Sequence, residues 1–243
     1  MNYKLLIQYD GTNYSGWQIQ DNSVSIQSKI TEALELLTKV KINLIGSGRT
    51  DSGVHALGQI ANFRIEHPLD IYKFKFQLNS ILPKDISIKD MSEVDEDFHS
   101  RFDAKKRSYI YLFSKIKSPF YYKYSTMIRV NMNFDVDSLN QNSKYFLGSK
   151  DFTSFCRKNT ETQNKICNVY NVHWKETKEL IIFFIEADRF LHSMVRTITG
   201  TILALNNNFI SPSEIKNIFE AKDRDLSGEA VPSKGLFLYK IKY

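Results

Sequence analysis

Leu180-Ile181-Ile182-Phe183-Phe184-Ile185 is the longest unbroken apolar run in this chain. At six residues it falls far short of the roughly 20 needed to cross a bilayer. A run rich in β-branched and aromatic residues reads instead as a strand, and its near-continuous apolarity predicts burial on both faces. Such a strand requires a sheet around it and cover above and below, so the rest of the chain must supply other strands and helices.

It does so twice over. Tyr3 to Tyr9 reads as a strand stopped by Asp10-Gly11. A helix follows a serine cap at Ser23 or Ser25, with Ile26, Ile30, Ala33, Leu34 and Leu37 on one stripe. Ile42 to Ile45 is a short strand. Gln59 to Ile65 alternates, with Ala61, Phe63 and Ile65 on one face and Asn62 and Arg64 on the other. Ile71, Phe74, Leu78 and Ile81 mark a second helix, and Ile86 to Val94 another strand. The second half repeats these ingredients. Ser108 to Ile116, Ile166 to Trp174, Glu179 to Ala187 and Leu236 to Tyr243 are strands. Helices are predicted over Val136 to Leu147, ending at Gly148, over Phe190 to Leu205, and from a capping box at Ser211-Pro212-Ser213-Glu214 through Phe219. Mixed, mainly antiparallel strands with flanking helices give an α+β fold.

Composition narrows the function. A chain of 243 residues, 42% hydrophobic, can bury a core as one large domain or two small ones. Its 33 Lys+Arg against 27 Asp+Glu leave a net charge of +6, which favours a polyanionic partner such as nucleic acid. Only Cys156 and Cys167 occur, read as free thiols in a reducing cytoplasm. The histidines at 55, 67, 99, 173 and 192 show no metal-ligand spacing, so no metal is expected.

The chemistry concentrates in Ile45-Gly46-Ser47-Gly48-Arg49-Thr50-Asp51-Ser52-Gly53-Val54-His55-Ala56. Three glycines in eight residues let the backbone approach a ligand closely. Arg49 and Asp51 carry opposite charges two residues apart. On these residues alone Asp51 is either a turn residue or a reactive carboxylate held ionised by its neighbours. Asp51-Ser52-Gly53 also matches the D-[ST]-G of aspartic proteases. Those enzymes need two carboxylates sharing a proton, and no second copy of the motif occurs.

Gly48-Arg49-Thr50-Asp51-Ser52-Gly53-Val54-His55-Ala56 resembles the G-R-T-D-A-G-V-H-A signature of TruA-type tRNA pseudouridine synthases, with Ser52 in place of the usual alanine. Tyr14-Ser15-Gly16-Trp17-Gln18-Ile19-Gln20 is similar to the family's Y-x-G-W-Q-x-Q. Phe98-His99-Ser100-Arg101-Phe102-Asp103-Ala104, then Arg107-Ser108-Tyr109-Ile110-Tyr111, resembles F-H-A-R-F-x-A…R-x-Y-x-Y. Phe190, Met194-Val195-Arg196 and Gly200 match the F-x-x-x-M-V-R-x-x-x-G helix, and Gly235-Leu236-Phe237-Leu238 the closing strand. The matches run in order across almost the whole chain.

The resemblance implies two α+β halves sharing one sheet with a cleft between them, here residues 1–104 and 105–243. It implies an isomerase that breaks the N1–C1′ bond of a uridine, turns the base and rejoins it through C5, with no cofactor or metal. The uridines would be 38, 39 and 40 of the tRNA anticodon arm, and the enzyme a cytoplasmic homodimer. Asp51 would act on the nucleotide and Arg196 would pair with it. Periodicity alone puts Arg196 on a solvated face beside His192, which is left structural or RNA-facing. Tyr109 shares a strand face with Arg107, Tyr111 and Phe113, and the resemblance makes it the residue that packs on the flipped base. Arg49 would assist binding or flipping. Lys105, Lys106 and Arg107, with Lys115, Lys117 and Lys123 among Tyr121, Tyr122 and Tyr124, form a candidate phosphate track. The alternative is a non-catalytic RNA-binding or RNA-folding protein, which would not need Asp51, Arg196 and Tyr109 together.

Overall fold

The computed structural model describes residues 1–128, 132–158 and 162–243. In chain order it contains β1 (Asn2–Tyr9), α1 (Ile26–Thr38), β2 (Ile45–Gly46), β3 (His55–Arg64), α2 (Ile71–Ile81), β4 (Ile86–Val94), β5 (Lys106–Ser114), β6 (Thr126–Met127), α3 (Val136–Ser143), β7 (Gly148–Asp151), β8 (Ile166–Glu176), β9 (Leu180–Ala187), α4 (Met194–Asn206), α5 (Glu214–Ala221) and β10 (Leu236–Lys242). These gather into two compact units, one of Met1–Lys105 with Phe237–Tyr243 and one of Lys106–Leu236. The chain's last residues therefore belong with its first strands and not with the segment that precedes them.

In the first unit the strand order is β4-β1-β3-β10. β1 is antiparallel to both neighbours, and β10 runs parallel to β3 with Phe237 opposite His55. Alternation along β1 sends Tyr3, Leu5, Ile7 and Tyr9 into the core, which also holds Ile26, Ile30, Ala33 and Leu34 of α1 and Phe74 and Leu78 of α2. α1 starts where the sequence says it should. The Ser25 hydroxyl accepts from Ser28 N at 3.1 Å while Ser25 N donates to the Ser28 hydroxyl at 3.2 Å, a reciprocal cap. One expectation fails here. The strand expected over Ile42 to Ile45 is reduced to Ile45–Gly46, although Ile42 and Leu44 are buried without strand pairing. Asn62, on the strand face it shares with Arg64, is fully buried, donating to Asn2 Oδ1 at 3.0 Å and accepting from Ser100 N at 3.0 Å.

The second unit carries β5-β9-β8-β7, all antiparallel, with β6 parallel beside β5. β9 is not closed on both faces. Ile181, Phe183 and Ile185 are buried, whereas Leu180, Ile182 and Phe184 are half-buried. On that second face a cross-strand ring supplies cover, His173 stacking on Phe184 at 4.8 Å. On the core side Phe146, Phe152, Phe155 and Phe219 form a ring cluster, with Phe155 and Phe219 centroids 4.7 Å apart. α3 ends at Ser143 and tightens into a 3₁₀ turn over Lys144–Phe146, so the helix expected to Leu147 stops early. α4 begins at Met194 and not at Phe190, because Ser193 takes a left-handed φ of 61°. Both units are mixed sheets with flanking helices, the α+β class expected. No helix among the described residues is long and apolar enough to cross a membrane.

Candidate active site

Asp51 lies half-buried in the loop between β2 and β3, and that loop is held on two sides. From one side comes the segment after β1. The Tyr9 hydroxyl meets the Thr50 hydroxyl at 2.8 Å, Trp17 N donates to Thr50 O at 3.1 Å, and Gly53 N donates to Tyr14 O at 3.3 Å. From the other side Gln59 Nε2 donates to Gly48 O at 2.9 Å, and its Oε1 accepts from the Ser47 hydroxyl at 2.7 Å. Val54 N closes the turn onto Asp51 O at 3.1 Å. At the loop's exit the buried His55 ring lies between the Asp10-Gly11 turn and Phe237, its Nδ1 3.0 Å from both Gly11 N and Asp10 Oδ1.

The cage explains a motif whose role the sequence leaves silent. Tyr14-Ser15-Gly16-Trp17-Gln18 is the wall against which the Asp51 loop is moulded. Gly16 has φ of 92°, and a Cβ there would stand 2.4 Å from Thr50 O. Gly16→Ala is therefore expected to destabilise the fold by about 1–3 kcal/mol through strain and displacement, with activity falling further than melting temperature alone accounts for. A variant with unchanged melting and turnover would show that the loop needs no such wall. Ser52, the one departure from the signature, donates its hydroxyl to Tyr14 O at 3.2 Å and so strengthens the cage. Arg49 is exposed, with Nε donating to Gln18 Oε1 at 3.1 Å.

In the second unit Arg196 is half-buried, contrary to the fully solvated face that periodicity suggests. Its Nε donates to Val231 O at 2.7 Å, while Val231 N donates to Arg196 O at 3.2 Å. Gly200, one turn on, makes this crossing possible, since a Cβ there would sit 1.7 Å from Glu229 O. Helix and strap thus meet backbone to backbone, and the strap fixes the direction of the guanidinium. His192 is exposed.

Tyr109 is 8% exposed, its ring edge-on to Phe190 at 5.2 Å. Tyr111, two residues on, is fully buried. Its hydroxyl is held by the Thr126 hydroxyl at 2.6 Å and Pro232 O at 2.7 Å, and burial pushes its pKa up to about 12. Tyr111 is thus locked into the core. The basic track is uneven. Lys105 is exposed and makes no ion pair among the described residues. Lys106 Nζ lies 3.6 Å from Glu186 Oε1 and 4.5 Å over the Tyr170 ring, so its charge is shared with the protein. Arg107 donates to Asp188 O at 2.7 Å, and Lys115 pairs with Glu176. Lys117 and Lys123 are exposed. Among the described residues, no group of three or more His, Cys, Asp or Glu side chains is placed to hold a metal ion.

Comparison with known proteins covers the segments that carry Asp51 and Arg196. A model of the tRNA pseudouridine synthase family matches residues 5–103 and 143–243. The chain is 41% identical to tRNA pseudouridine synthase A of Caldicellulosiruptor saccharolyticus over 248 residues, covering 100% of this chain and 99% of that protein. It is 37% identical to tRNA pseudouridine synthase A of Bacillus subtilis over 245 residues, again with 100% and 99% covered. Among solved structures, an archaeal box H/ACA sRNP Nop10-Cbf5 complex aligns with a TM-score of 0.41 and 9% identity, over 84% of this chain and 43% of that one. The family match and the full-length relatives show that the chain belongs to the tRNA pseudouridine synthases, isomerases that convert uridine to pseudouridine.

Proposed function

We propose that this chain isomerises uridines 38, 39 and 40 of the tRNA anticodon arm, in the cytoplasm, as a homodimer in which one tRNA touches both subunits. The N1–C1′ bond breaks, the base turns, C5 bonds to C1′, the C5 hydrogen leaves to water and N1 takes a proton. Asp51 acts on the nucleotide as a carboxylate. Whether it attacks C1′, attacks the base or removes a proton from the sugar, it must be ionised to do so. Arg196 pairs with it and favours that charged form. The strap from Val231 supports this role, because it orients the arginine fork before RNA arrives. Buried free thiols at Cys156 and Cys167 suit a reducing compartment.

The observation that carries the reading is the cage around the Asp51 loop, a set of backbone and side-chain contacts that holds the glycine-rich turn bearing this carboxylate. The test is to incubate the protein with unmodified tRNA and map pseudouridine by carbodiimide adducts that stop reverse transcription. Stops confined to 38, 39 and 40 are expected, and stops elsewhere would overturn the site assignment. Sedimentation should give twice the 28.3 kDa chain mass.

Tyr109 packs on the flipped base, and Arg49 assists binding or flipping. A ring so nearly buried has two possible duties, and two variants separate them. Tyr109→Phe is expected to melt normally yet lose turnover, since the hydroxyl takes part in proton handling. Tyr109→Ala is expected to lose turnover as well, by removing about 1–3 kcal/mol of stacking. A fully active Phe variant, with an Ala variant that is chiefly unstable, would return Tyr109 to the core.

Lys105, Lys106 and Arg107 contact phosphate in this reading, and their different surroundings grade their effects. Lys105→Ala is expected to flatten the plot of log affinity against log salt by about one unit. Lys106→Ala should flatten it less, because Glu186 already shares its charge. Equal, unchanged slopes would place the RNA elsewhere.

A further inference from the structure

Phe102 is 75% exposed, which by itself is ordinary for a lone apolar side chain. Its surroundings are not ordinary. The His99 ring packs against it at 4.3 Å with the planes 33° apart, and the Arg101 guanidinium lies 5.7 Å from its centroid. Phe76, Phe120 and Phe209 are similarly exposed, yet among the described residues none has a ring or a cation packed on it.

The turn beneath the ring is rigid. His99 Nδ1 accepts from Arg101 N at 3.2 Å and Phe102 N at 3.3 Å. Asp103 Oδ2 accepts from His99 N at 2.8 Å, and Asp103 N donates back to His99 O at 3.1 Å. Ser100 then ties the turn into the sheet. Its hydroxyl donates to Ile45 O at 2.6 Å, its amide to Asn62 Oδ1 at 3.0 Å, and its carbonyl accepts from the Tyr243 hydroxyl at 2.9 Å. Ile45 belongs to β2, the strand that feeds the Asp51 loop. An exposed aromatic is thus clamped to the element that positions the catalytic aspartate, with a cation at its side and a second ring below it.

We propose that the Phe102–His99–Arg101 stack is a nucleotide platform, on which an unpaired base of the bound RNA stacks while Arg101 meets the adjoining phosphate. The face of an aromatic ring accepts any base, and a neighbouring arginine adds charge attraction, so the platform is sequence-tolerant. Pre-ordering by Ser100 and Asp103 lowers the ordering cost of binding. The inference rests on the reading that tRNA is this enzyme's substrate, and it adds an RNA contact outside the reacting residues.

The test uses the full-length protein, unmodified tRNA and four variants, Phe102→Tyr, Phe102→Trp, Phe102→Leu and Phe102→Ala. Tyr and Trp should keep wild-type affinity, while Leu and Ala should weaken it by roughly tenfold with melting temperature unchanged. The native Trp17 and Trp174 are 1% and 3% exposed and also emit, so the introduced tryptophan is read as the difference in emission between Phe102→Trp and wild type. That difference should be quenched as tRNA binds. If wild type binds tRNA and all four variants match it, the platform is refuted and the function stands. If wild type neither binds tRNA nor modifies it, the functional reading fails and the platform with it. If Phe102→Ala instead shifts sedimentation from dimer to monomer, and no quenching follows tRNA, the ring docks a second copy of the chain and the proposal is overturned.

Discussion

Asp51→Asn is expected to abolish turnover, by at least on the order of 10³-fold, while tRNA affinity and melting temperature stay close to wild type. The expectation follows from where the loop's contacts lie. The cage grips Thr50 O and its hydroxyl, Gly48 O, Gly53 N and Asp51 O. Asparagine preserves the shape and every one of those backbone contacts. What it removes is the negative charge, which the role proposed for Asp51 requires whether it attacks or acts as a base. Tritium release from labelled tRNA, measured beside a binding titration, checks it. A variant that turns over at the wild-type rate would strip Asp51 of its role.

Arg196→Met should rank second, with activity down on the order of 10²-fold or more and a moderate fall in melting temperature. Methionine fills much of the same volume but loses the charge and the bond from Nε to Val231 O. That bond, made by a charged donor, contributes about 1.5–3 kcal/mol, which accounts for the stability loss. The larger activity loss is expected from the proposed pairing, whose loss would leave Asp51 without its compensating charge. Arg196→Lys should fall between, keeping charge but not the fork that reaches Val231. Steady-state rates and melting curves for both variants separate the two effects. If Arg196→Met melts early yet keeps full activity per folded molecule, the arginine only fastens the strap.

The elements that were legible in the sequence are those whose signals are local. α1 announces itself through apolar residues on one stripe and a serine cap, and it forms as written because Ser25 and Ser28 complete the cap between themselves. Phe190 and Leu191 continue the apolar spacing of α4 four residues beyond its true start, and nothing in the residues signals the left-handed Ser193. β9 looked closed on both faces because a ring from the neighbouring strand can cover apolar residues as a helix does. Asp51 was visible as a candidate, but its cage was not. Tyr9 reaches Thr50 across 41 residues and Gln18 reaches Arg49 across 31, and no periodicity encodes such contacts. The burial of Arg196 escapes periodicity for the same reason, since the segment that bonds it arrives from residue 231. The shared charge of Lys106 likewise depends on Glu186 and Tyr170, from two other strands.

As a tRNA pseudouridine synthase, this chain moves the glycosidic bond of a tRNA uridine from N1 to C5. Tritium placed at C5 of the uridines in an unmodified tRNA reports that event alone, because rejoining through C5 must expel the hydrogen there. Wild-type protein is expected to release tritium to water through repeated turnovers, up to the number of target uridines present. Tight binding of that tRNA with no tritium in the water would contradict the account and leave an RNA-binding protein without this chemistry.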